Sequence, residues 1–104
     1  MSTLPSSGDQ KAARIRALND TFRSTGLGGK IVLTQGILAT NGFHTILLKV
    51  RSFDAFTEDN DPYGEHDFGA FTHEGQKIFW KIDYYDLSME YGSQDPADPE
   101  KTIR

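Results

Sequence analysis

The sequence predicts an α+β domain, one or two helices packed on a small antiparallel sheet of three to four strands. Three observations carry this. One apolar stripe repeats at helical spacing near the start. One stretch alternates apolar and polar residues at strand spacing near the end. A turn signal at Glu74-Gly75 folds that stretch back on the segment before it as a hairpin. At 104 residues the chain suits a single core.

Residues 1–9 are rich in Ser, Pro and Gly and read as a flexible tail, ahead of a domain spanning 10–92. A helix is expected from Asp9, a suitable N-cap, to Thr25. Its stripe is Ile15, Leu18 and Phe22, and Gly26 or Gly28 ends it. Lys30 to Thr34 (KIVLT) is a short strand candidate between glycines. Residues 43–53 allow two readings. On a helix, Phe43, Ile46, Leu47, Val50 and Phe53 share a face. On a strand, Leu47 and Leu48 point apart. The helix is preferred.

A loop follows over residues 54–67, and then the clearest hairpin. Phe68 to Thr72 leads to a turn at Glu74-Gly75, and Lys77 to Tyr85 returns. Ile78, Trp80, Ile82 and Tyr84 line the buried face, with Phe79 and Tyr85 on the other side. Met89 and Tyr91 suggest a third strand. Residues 93–104 are expected as an extended tail. Asp98-Pro99-Glu100 there resembles the opening of a helix that has been cut short.

Composition narrows the function classes. The chain has no cysteine, which removes disulfides, thiolate metal sites and cysteine catalysis and favours a cytoplasmic setting. No apolar run approaches the ~20 residues that span a bilayer, so no membrane partner is expected. The net charge of −4 is unevenly spread. Residues 1–53 hold seven basic and two acidic residues, and residues 54–104 hold four basic and thirteen acidic. No GK[ST] or GxSxG pattern occurs.

The loop draws attention because Asp54, Glu58, Asp59, Asp61, Glu65 and Asp67 place six carboxylates in fourteen residues with no Lys or Arg among them. Water, a cation or basic groups from elsewhere must relieve their repulsion, and Lys11, Arg14, Arg16 and Arg23 on the first helix are candidates. A two-residue hairpin turn would set His66 opposite Asp83, and a three-residue turn would set Asp67 there. Either register brings Glu65 to Asp67 beside Asp83. Asp59 to Gly64 fails as a calcium loop, because counting from Asp59 puts Ala70 where a bidentate Glu is needed. His44 and His73 read as isolated surface histidines.

The leading expectation is a non-enzymatic binding or regulatory protein that meets a protein partner through Asp59, Asn60, Asp61, Glu65, His66, Asp67 and Asp83, with no cofactor. The alternative is a metal-dependent, hydrolase-like enzyme with Glu65, His66, Asp67 and Asp83 as divalent-metal ligands or acid/base groups. A second alternative is nucleic-acid binding by the basic first helix, which the overall acidity opposes.

FDAFTEDNDPYGEHDFGAF (Phe53 to Phe71), FWKIDYYD (Phe79 to Asp86) and YGSQDPADP (Tyr91 to Pro99) resemble a family of small bacterial proteins known as domain of unknown function 3768. The similarity extends back to Ala13–Asn19 and Ile31–Thr34. The resemblance implies no particular activity, cofactor or catalytic residue. It does imply an accessory role on mobile elements, in regulation or in countering host defence. It also implies an apolar helix following the Asp-Pro-x-x-Thr region, where this sequence closes with Thr102-Ile103-Arg104.

Overall fold

A computed structural model describes residues 7–104. Most of the expected N-terminal tail lies outside them, and the rest already belongs to the first helix. α1 runs Ser7–Thr25, so Asp9 sits in its first turn, where a carboxylate suits the helix dipole, instead of capping it. Gly26 closes the helix in the left-handed region at φ 73°, its N–H reaching the Phe22 carbonyl at 2.8 Å. The buried stripe is Ile15, Asn19 and Phe22, at i, i+4 and i+7, while Leu18 is only half-buried.

The expected strand at Lys30–Thr34 does not form. Ile31 and Val32 are exposed, and among the described residues no neighbouring strand offers a ladder. Thr34 instead caps a four-residue helix, α2 (Gln35–Leu38), its hydroxyl accepting from the Ile37 N–H at 3.3 Å. α3 spans Phe43–Arg51, which settles the ambiguous segment as helix. It buries Ile46 and packs against α1.

The sheet has two strands among the described residues, not three to four. β1 (Phe68–His73) and β2 (Gln76–Lys81) are antiparallel and pair from Phe68↔Lys81 to His73↔Gln76. The turn is therefore the two-residue option. Glu74 and Gly75 both have positive φ, 50° and 80°, as a turn matched to right-handed strand twist requires. Gly69 faces Trp80 across the ladder, and a Cβ there would fall inside the indole. The returning strand was expected to continue to Tyr85, but the ladder ends at Lys81, with one further bond from Ile82 N–H to the Asp67 carbonyl (2.7 Å). The cause lies on the opposite strand, where His66 takes φ 55° and turns the chain out of line.

The third strand expected around Met89 and Tyr91 is reduced to single bridges, Tyr85 pairing with Gly92 and with Ile103. The second bridge shows that residues 93–104 are not an extended tail. They form a series of turns folded back on α1. Asp98 makes a local turn, accepting from the Glu100 N–H at 2.9 Å, and the chain then enters the Ile103 bridge without forming a helix. Arg14 Nε donates to the Ala97 carbonyl (2.9 Å), and Thr102 and Arg104 are buried. The core thus joins Ile15, Phe22, Ile46, Ile78 and Ala97 from four parts of the chain.

Candidate functional site: the acidic loop

The loop over residues 54–67 holds its own shape first. Asn60 Nδ2 donates to the Ala55 carbonyl (2.9 Å), and its Oδ1 accepts from the Thr57 N–H (2.8 Å). Asp61 N–H closes a turn on the Thr57 carbonyl (2.8 Å), and Gly64 at φ 69° closes the next. Asn60 is therefore a brace within the loop. Asp61 is buried. One carboxylate oxygen accepts the His66 N–H at 3.1 Å, and the other lies 3.6 Å from His66 Nε2. The His66 ring stacks on Phe56, with centroids 3.7 Å apart and planes 4° from parallel. Its Nδ1 meets the Asp20 carboxylate at 2.9 and 3.1 Å.

α1 then fastens the loop, but not by pairing with its carboxylates. Arg16 donates to the Gly64 carbonyl (3.0 Å), Asn19 to the Glu65 carbonyl (2.9 Å) and Arg23 to the Phe53 carbonyl (3.1 Å). The Arg23 guanidinium also lies over the Phe56 and Trp80 rings, 5.2 Å from each. Lys11 pairs with Asp95 (3.4 Å). With Arg14 on Ala97, each of these helix cations is engaged by a backbone carbonyl or by a carboxylate of another segment.

Beneath the loop is a buried polar hub that the sequence reading did not single out. Asn19 is fully buried. Its amide donates to the Glu65 carbonyl and to the Tyr84 hydroxyl (2.8 Å), and its oxygen accepts from Arg104 Nε (2.7 Å). Tyr84 passes the chain on, its hydroxyl donating to Glu65 Oε1 at 2.7 Å. Burial, reinforced by that bond to Glu65, pushes the phenol well above its ordinary pKa. Arg104 lies over the Tyr84 ring at 5.3 Å and also reaches the Pro96 carbonyl. Burial pulls its guanidinium below the usual value. Asn19 had one legible signal, a polar residue between Ile15 and Phe22 on the buried stripe.

The expected site residues thus divide. Asp61 and His66 are brought together. Asp67 sits near Asp61 and Asp83, and its carboxyl is raised, first by partial burial and then by those two charges. Asp83, expected opposite His66 or Asp67 according to the turn, is exposed and pairs with Lys81 at 3.2 Å. Asp59 points to solvent, as do Asp54 and Glu58, and among the described residues none of the three makes an ion pair. Glu65, His66, Asp67 and Asp83 do not converge, and among the described residues no three His, Asp or Glu side chains are grouped to hold a metal ion.

His73 also departs from expectation. It is buried, because the alternation that turns Gly69 and Phe71 inward carries it inward too. The Lys49 ammonium donates to its Nδ1 at 3.0 Å. No helix among the described residues is long and apolar enough to cross a membrane.

Neither a search of curated proteins nor one of solved structures yields a match. One family model does match, over residues 33–104, which takes in the loop, the hairpin and the C-terminal turns and leaves α1 outside. That span is more than half of the chain, and the chain belongs to the family described as Protein of unknown function (DUF3768).

Proposed function

We propose that this is a non-enzymatic binding or regulatory protein that presents the outer edge of the acidic loop to a basic surface on a protein partner. The observation that carries the reading is a division of labour within the loop. Asn60, Asp61, Glu65 and His66 are held by specific bonds, while Asp54, Glu58 and Asp59 stand exposed outside any ion pair among the described residues. A braced loop with free carboxylates on its rim is pre-organised to steer a cationic partner, because little ordering remains to be done on contact. The lack of cysteine supports an intracellular setting, and family membership suits a bacterial accessory factor.

The test is a charge reversal at Glu58→Lys together with Asp59→Lys. Proteins crosslinked to the wild type in the source cell should be lost from the double variant, with affinity for an isolated partner falling roughly tenfold or more. Circular dichroism should show the fold unchanged. Retention of the same partners by both forms would remove the loop rim from consideration. The metal-dependent reading is weaker, because Glu65, His66 and Asp83 are already engaged by Tyr84, Asp20 and Lys81.

A further inference from the structure

A groove of about 480 Å³ runs between the first turns of α1 and the inner end of the acidic loop. Ala12 and Ile15 line it from the helix, Pro62, Tyr63 and Glu65 from the loop, and Pro96 from the C-terminal turns. Its walls are mostly apolar, and they meet a carboxylate that is already held in place. Glu65 Oε1 accepts from Tyr84, and its backbone carbonyl accepts from Asn19. Its second carboxylate oxygen has no hydrogen bond within the described residues. Asp9 and Lys11 also border the groove, Asp9 with an interaction of its own and the Lys11 ammonium drawn toward Asp95. Tyr63 is 80% exposed, a large aromatic left uncovered at the rim.

We infer that this groove receives one lysine side chain of the partner protein. The inference deepens the acidic-loop reading and rests on it. A lysine has a four-carbon apolar stem and a compact ammonium with three donors. The stem matches the walls of Ala12, Ile15, Pro62 and Pro96, and the ammonium matches the open oxygen of Glu65. The Tyr63 ring at the rim adds a face that attracts cations. Because Tyr84 and Asn19 hold Glu65 beforehand, the carboxylate loses little freedom when the ammonium arrives. The exposed carboxylates at Glu58 and Asp59 steer the basic surface in, and the groove fixes its register.

The experiment is an NMR titration of labelled full-length protein with three blocked tripeptides, Gly-Lys-Gly, Gly-norleucine-Gly and Gly-Glu-Gly. The lysine peptide should shift the amides of Ala12, Ile15, Tyr63 and Glu65 saturably, and the other two should leave them in place. Glu65→Gln and, separately, Ala12→Leu should each weaken that response roughly tenfold or more. Ala12→Leu fills the groove without touching the Tyr84–Glu65 bond and favours helix, so it keeps the test valid if Glu65→Gln fails to fold. Equal responses to lysine and norleucine, or no saturable shift at Ala12 and Ile15, would overturn the inference. Running the series on the Glu58→Lys, Asp59→Lys variant separates the two proposals. Partner loss with no lysine response in the wild type sinks the groove alone, and a lysine response with the partner retained sinks the rim alone.

Discussion

The two sides of the acidic loop share a composition and differ in almost everything else. On the inner side, Asp61 and Glu65 are tied into specific bonds, and Glu65 joins a hub with Asn19, Tyr84 and Arg104. On the outer side, Asp54, Glu58 and Asp59 face water. The difference shows that carboxylate density is not itself a site. Burial and hydrogen-bond partners turn the inner acids into structure, and exposure leaves the outer ones solvated.

The sharpest way to break the comparison is Asn19→Ala. It removes three hydrogen bonds at once, and it takes the acceptor from Arg104 Nε in a buried residue and a donor from the Tyr84 hydroxyl and the Glu65 carbonyl, so the cost should be about 3 kcal/mol or more. Thermal melting should fall by more than about 10 °C, and a shift like that of a surface substitution would show that the hub is not structural. Tyr84→Phe removes only the hydroxyl that links Asn19 to Glu65. It should cost about 1–2 kcal/mol in urea unfolding, with the slope unchanged.

Asp67 lies between the two regimes. Its folded-state pKa is raised, first by burial, so its contribution to stability is present below the unfolded value of about 3.9 and is lost as pH rises through the folded value. Asp67→Asn should therefore melt higher than wild type at neutral pH, with the gap closing in acid. A variant less stable at neutral pH would contradict that assignment. The smallest effect is expected on the outer rim. Glu58→Gln and Asp59→Asn should leave the melting temperature within about 2 °C of wild type. A large loss there would erase the distinction between the two sides.

How much of this was legible follows from which interactions are local. The first helix, the helix over the ambiguous segment and the hairpin follow from periodicity and turn chemistry within a few residues, and all three formed. Lys30–Thr34 misled because a strand exists only where another strand accepts its bonds. The carboxylate cluster was visible, but the partners of its members were not. His66 turned to Asp20 and Asp83 to Lys81, because a single residue with positive φ ended the ladder that should have joined them. The inward turn of His73 is local, since it follows from alternation with Gly69 and Phe71.

By itself, then, the sequence determined the class of fold, the existence of the hairpin and the place of its turn, the family and the concentration of negative charge in one loop. The tertiary structure alone decided which acids are buried, that the last twelve residues fold back to place Arg104 on Asn19, and that a groove opens beside Glu65. Arg104 and Asn19 are 85 positions apart. Contacts at that separation leave no periodicity to detect, because they depend on where the whole chain has carried its ends and not on the spacing of neighbours.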